Sequence, residues 1–246
     1  MKKYLKLYLT FLTIEACVAV SAQSLAEQRS AASYKSPFEV ERFHSVLSGS
    51  KLQAPTSTTV CEPENMDVCA FLFFRLSDTF DSMIFEMTGD HNRSELRQIE
   101  EWRTSTQVWR KIIGELRFER PESPELSQFT FAQIHDSGKY PNKPLMRLVW
   151  MSRKDGVDDA LWAVVRNSVN ANEYTWTHLS GRPDRFFQFE IKVKENVLKV
   201  KIDSQEMLQV NVSYWEDLNS YFKAGVYLQS DGTARAEYRS LKYFSE

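Results

Sequence analysis

The sequence predicts an all-β protein, two packed antiparallel sheets forming a sandwich or jelly roll. Short runs of alternating apolar and polar residues recur from Pro37 to the C-terminus. Loop-forming clusters such as Pro121-Glu122-Ser123-Pro124 and Tyr140-Pro141-Asn142-Lys143-Pro144 separate them. No βαβ alternation accompanies them, and there is little helical periodicity.

In chain order, residues 1–22 read as an export signal. Lys2, Lys3 and Lys6 precede an apolar run from Leu5 to Val20, and Val20-Ser21-Ala22 is a small-residue cleavage site. An alternative takes Ile14-Glu15-Ala16-Cys17 as a lipid-attachment site at Cys17. The acidic Glu15 weighs against that, and also against a membrane-spanning helix. The expectation is a secreted or periplasmic protein with no integral membrane span. Residues 23–36 are polar and small, a leader or linker. A single domain then fills residues 37–246, long enough to bury a full core.

Strands are expected at 70–75, 82–88, 109–119, 128–135, 145–151, 161–166, 174–179, 207–212 and 234–244. The clearest hairpin joins Phe187 to Ile202. Phe187, Phe189, Ile191 and Val193 share one parity, Glu195-Asn196 turns the chain, and Leu198, Val200 and Ile202 continue the apolar face. Lys192, Lys194, Lys199 and Lys201 face outward and protect a sheet edge. Residues 94–101 and 213–220 could each hold a helical turn. Cys61 and Cys69 are the cysteines left after export, and in an oxidising compartment they are expected to pair, the alternative being two free thiols. No His lies near enough in sequence to complete a zinc set with them, so neither metal nor cofactor is expected.

Function is concentrated in three stretches. Arg93-Ser94-Glu95-Leu96-Arg97, Gln133-Ile134-His135 and the run from Tyr221 to Tyr227 each put polar residues at every second position. On strands, Arg93, Glu95 and Arg97 share a face, as do Gln133 and His135, and Tyr221, Lys223 and Tyr227. Leu96, Ile134, Phe222, Ala224 and Val226 turn to the core. Should the strands be neighbours, one face carries cations, an amide, an imidazole and phenols, which suits proton removal beside a carboxylate.

These blocks, with Leu228-Gln229 and the tail Ala234, Glu237, Tyr238, Ser240, Leu241 and Lys242, resemble the signature blocks of the alginate lyases of polysaccharide lyase family seven, in the same order and at similar spacing. The resemblance spans residues 37–246. It implies a β-jelly roll with substrate across a concave groove, and metal-free β-elimination at 1,4-linked uronates. It assigns Arg93, Gln133, His135 and Tyr227 to catalysis, and Glu95, Arg97 and Lys223 to the groove lining. Tyr221 belongs beside them as ligand or packing. The isoleucine after Gln133 is associated in that family with guluronate-containing blocks. Gln98 and the lead-in Gly89-Asp90-His91-Asn92 depart from the usual pattern, which bears on subsite preference.

The expectation is a monomeric, endo-acting alginate lyase. A lyase for another polyuronate such as glucuronan, and a lectin-like jelly roll that only binds acidic polysaccharide, are the alternatives. Removing the signal shifts the formal charge from −2 to −4, so an anionic polymer must be met by cations gathered in one groove. No basic domain or motif for nucleic acid is present.

Overall fold

A computed structural model describes residues 34–170 and 172–246. The export signal and most of the leader lie outside the described residues. Within them the expected architecture is present, two antiparallel sheets packed face to face. From edge to edge the front sheet runs β10 (Tyr174–Gly181), β9 (Val157–Arg166), β8 (Pro144–Lys154), β7 (Gln128–Asp136), β14 (Ser220–Leu228), β5 (Arg93–Gln98), β1 (Ser50–Gln53) and β2 (Thr59–Cys61). The back sheet runs β13 (Gln205–Asn211), β12 (Val197–Ile202), β11 (Phe187–Lys194), β6 (Arg110–Arg117), β15 (Thr233–Ser245), β4 (Met83–Thr88) and β3 (Phe74–Leu76).

Between the sheets lie Leu96, Ile134, Phe222, Ala224 and Val226 from the front and Phe187, Phe189 and Tyr238 from the back, all buried. Phe131 meets Phe187 and Phe189 edge-on, so rings from both layers interlock. The predicted hairpin is β11–β12, and Glu195 and Asn196 both take the positive φ that its tight turn requires. Strand 70–75 is displaced, since β3 begins only at Phe74.

Two local readings are corrected. Residues 94–101 hold no helical turn: β5 pairs with β14 on one side and β1 on the other, and extended pairing wins over local propensity. One helix that strand periodicity overlooks, α1 (Glu41–Ser48), covers one end of the sandwich with Phe43, Val46 and Leu47. Residues 213–220 do start with a single 3₁₀ turn, Ser213–Trp215. Ser36, at the end of the predicted leader, is buried and donates its hydroxyl to the Met66 carbonyl (2.6 Å). Cys61 and Cys69 form a disulfide. Closing so short a loop contributes about 2–3 kcal/mol in the chain-entropy picture.

Register lays the front face out in rows, because directly paired residues point to the same side. One row crosses seven strands as Lys51, Arg97, Lys223, Gln133, Arg147, Val164 and Trp176. A second runs Arg93, Tyr227, Thr130, Val149, Trp162 and His178. Tyr221 faces His135 in a third. Bulges break the pairing at Phe131 in β7 and at Gly225-Val226 in β14. Tyr238, reaching across from β15, places its buried hydroxyl there. It accepts the Gly225 N–H (3.3 Å) and lies within hydrogen-bonding reach of the Gly225 and Phe131 carbonyls. Backbone groups that the bulges leave outside the ladder thus find a partner.

Candidate active site

β5, β14 and β7 are adjacent, so Arg93, Gln133, His135 and Tyr227 converge although more than 130 positions separate the first and last in sequence. All four line one cavity of about 410 Å³, together with Tyr221, Lys223, Arg147, Tyr174 and Gln229. A larger hollow, about 680 Å³, sits at the rim of the other sheet. There Arg117 and Arg235 are both consumed by Glu237, and neither His nor Tyr lines the walls. It lacks the imidazole and phenols that line the smaller cavity.

Beneath the cavity floor lies Glu95, only 1% exposed. One of its oxygens meets the Lys223 ammonium (2.5 Å) and the Arg93 guanidinium (3.3 Å). The other accepts from the Gln133 amide (2.6 Å). Burial alone would raise the Glu95 pKa, but the two cations and these donors outweigh it and hold the value below the ordinary carboxylate range. Burial, and then repulsion from Arg93, overcome the attraction of Glu95 and push Lys223 down to about 8. Glu95 therefore fixes three groups of the site and does not itself line the cavity. Gln133 has a second amide N–H beyond the one given to Glu95.

His135 donates from Nδ1 to the backbone carbonyl of Asp136 (2.8 Å). A carbonyl only accepts, so the hydrogen is on Nδ1 and the free lone pair on Nε2. Burial first, and the Lys223 charge second, push its pKa from 6.5 down to about 4. The imidazole is therefore neutral well below the mild alkalinity at which an ordinary histidine would serve as base. Asp136 orders the following loop by accepting the Asn142 and Lys143 N–H groups (3.1 and 2.6 Å). Across the site the Arg93 guanidinium stands 4.1 Å from the Tyr227 ring centre.

Two expected groove residues behave differently. Arg97 turns away to Glu101 (2.7 Å) and lies 3.8 Å from the Tyr221 ring centre, outside the cavity lining. Tyr221 is buried between Arg97 and His135, its ring stacked 5.8 Å from the imidazole, and that burial raises its pKa. Gln229, at the end of the third block, also lines the cavity, as do Arg147, Tyr174 and Gln53, which were not singled out from sequence. The parity of Arg147 within an otherwise apolar strand was the available signal.

At Gly225 the backbone of β14 runs against that of β5. The Gly225 φ is +143°, and a Cβ there would come 2.2 Å from the Ser94 carbonyl oxygen and 2.8 Å from the Glu95 Cα.

A sheet face that gathers a neutral imidazole, a phenol and cations anchored on a buried carboxylate, on a jelly-roll frame, suits a polysaccharide lyase, and the family match bears out that class. The alginate lyase family matches residues 47–245, and the chain belongs to that family. It is 28% identical over 204 residues to an alginate lyase of Photobacterium sp., covering 69% of this chain and 71% of that one. The solved alginate lyase AlyC3 superposes with a TM-score of 0.81 at 23% identity, over 88% of this chain and 97% of that chain. An alginate lyase from Pseudomonas aeruginosa gives 0.69 at 22% identity, over 81% and 99%. These two likenesses speak to the fold.

Proposed function

We propose that this protein is an exported, endo-acting lyase that cuts alginate by β-elimination and favours guluronate-containing blocks. The observation that carries the reading is the convergence of Arg93, Gln133, His135 and Tyr227 on the lining of one cavity. In a uronate the proton on carbon five is weakly acidic, because its removal adds charge beside a carboxylate. Arg93 and the free amide N–H of Gln133 meet that carboxylate and stabilise the enolate-like state more than the ground state. With guluronate, Nε2 of His135 takes the carbon-five proton. The electron pair forms the carbon four–carbon five double bond, the carbon four–oxygen bond breaks, and the Tyr227 hydroxyl gives its proton to the departing oxygen. With mannuronate, whose proton lies on the side of the leaving group, Tyr227 serves as both base and acid.

The endo assignment is supported by the row of side chains from β1 to β10, which suits a chain extending both ways from the cut. Block preference is supported by Ile134, whose side chain points into the core and so influences the groove only through the placement of its strand. AlyC3 has been solved with dimannuronate bound, which makes mannuronate the natural comparison substrate.

The test is ultraviolet absorbance of the unsaturated product from separated guluronate and mannuronate blocks, with glucuronan in parallel. His135→Ala should lose far more activity on guluronate blocks than on mannuronate blocks, and Tyr227→Phe should lose both. Equal losses for His135→Ala on the two substrates would reject the division of labour. No absorbance from any uronan would favour a lectin.

A further inference from the structure

The lysines of the β11–β12 hairpin do not protect an edge. β13 covers β12, so Lys192, Lys199 and Lys201 sit on interior strands of the back sheet. Their neighbours Ile191 and Val200 are buried between the sheets, which turns the lysines to the outer face, on the far side of the sandwich from the catalytic cavity. Register sorts that face into two rows. One reads Phe244, Lys111, Lys192, Lys199 and Gln209, and the next Lys242, Ile113, Glu190, Lys201 and Glu206. Three ammonium-bearing side chains thus stand side by side on β6, β11 and β12, an arrangement that destabilises a sheet.

Carboxylates relieve the repulsion only in part. Lys192 and Lys201 share Glu190 (3.1 and 3.5 Å), Lys199 reaches Glu206 (3.2 Å), and Lys111 reaches Glu246. Lys242 has no acidic partner among the described residues. Five lysines against three carboxylates leave this face positive, on a chain whose formal charge is −2. The central Lys192 is held in place over the Trp109 ring, 4.9 Å from its centre. Phe244, 38% exposed, puts an open ring at the head of the first row. The lysines recur at one strand spacing, about 4.8 Å, close to the span of one pyranose ring. An extended polymer with a carboxylate on every sugar matches both that spacing and that charge, and a neutral glycan lacks the charge.

We propose that the outer face of the back sheet is a second, non-catalytic binding surface for the polyuronate, with the lysine rows on its carboxylates and Phe244 under a sugar face. Both sheets separate this surface from the cavity, so it holds a different stretch of polymer from the one being cut. Holding that stretch raises the local concentration of cleavable sugars at the groove. The proposal rests on the lyase reading above for its choice of polymer.

Steady-state cleavage of polymeric alginate and of short oligoguluronate tests it. Lys192→Gln with Lys199→Gln should raise KM for polymer about fivefold and leave kcat, and KM for the short substrate, unchanged. The difference from wild type should fade at high salt. Lys192→Arg with Lys199→Arg should behave as wild type, and so should Lys35→Gln with Arg42→Gln, which removes two charges elsewhere. The same variants in a Tyr227→Phe background are run through gels containing alginate, with excess short oligoguluronate to fill the groove. Retardation should persist with the lysines or arginines present and be lost with the glutamines. No change in polymer KM, an equal rise on short substrate, or an equal rise on removing Lys35 and Arg42 overturns the surface and leaves the lyase reading intact. Retardation by dextran sulfate but not by alginate overturns the choice of a polyuronate. If the wild type releases no unsaturated product from any uronan, the lyase reading fails instead, and gel retardation alone decides the surface. Lys199→Gln with Lys242→Gln, neither at the Trp109 contact, carries the test should the first pair not fold.

Discussion

Acidification forces a proton onto His135 in surroundings arranged to keep it neutral. Burial is the larger cause and the nearby Lys223 charge the next, while the Asp136 carbonyl and Glu95 oppose them only in part. In the unfolded chain the imidazole takes its proton near 6.5, whereas in the folded protein it does so at about 4. Between those values the unfolded state binds more protons, so stability is fully present above pH 6.5 and drains as the pH falls toward 4. The gap corresponds to about 3 kcal/mol, a large share of a typical domain's total. Urea unfolding of wild type and His135→Gln at pH 7.5 and pH 4 measures it. Carboxylates contribute to both proteins and cancel in the difference, so the wild type should lose about 3 kcal/mol more than the variant. The acid limb of kcat/KM on guluronate blocks should also lie near 4 and not near 6.5. Identical acid sensitivity in the two proteins, or a His135 NMR titration centred at 6.5, would refute the reasoning.

Two further substitutions probe the floor of the site. Glu95→Gln keeps the shape but leaves Lys223 buried without its counter-charge, and should cost about 3–5 kcal/mol in urea unfolding along with most of kcat. An unchanged unfolding midpoint would show that Lys223 does not depend on Glu95. Gly225→Ala drives a methyl into the β5 backbone at Ser94 and Glu95, where neither atom can swing aside. It should cost about 1–3 kcal/mol and lower kcat through displacement of Arg93, and a neutral result in both assays would mean that β14 yields freely.

Much of the site could be read from parity alone. Once Arg93, Gln133, His135, Lys223 and Tyr227 were placed on strands, their common face followed, because a strand has only two sides. Parity says nothing about depth. Glu95 and Arg97 are two residues apart on one face, yet one lies under the floor with three partners and the other bends outward to Glu101. Nor does it say which strands are neighbours, and so Arg147 became visible only when β8 was seen beside β7. The helix α1 escaped for another reason. Its apolar residues Phe43, Val46 and Leu47 span little more than one turn, and no side-chain cap marks its start. The histidines outside the site are structural or exposed: His44 bonds the Phe38 carbonyl, His91 is exposed beside Asp90, and His178 packs edge-on against Trp162.

Tyr238 gives the rear layer a say in the chemistry of the front one. Its phenol plugs the gap where two neighbouring strands each carry a surplus residue, so the spacing between Tyr227 and Gln133 is held from behind by a side chain no sugar can touch. Transplanting the visible residues of the groove onto another sandwich would copy the tools without the clamp that sets their separation.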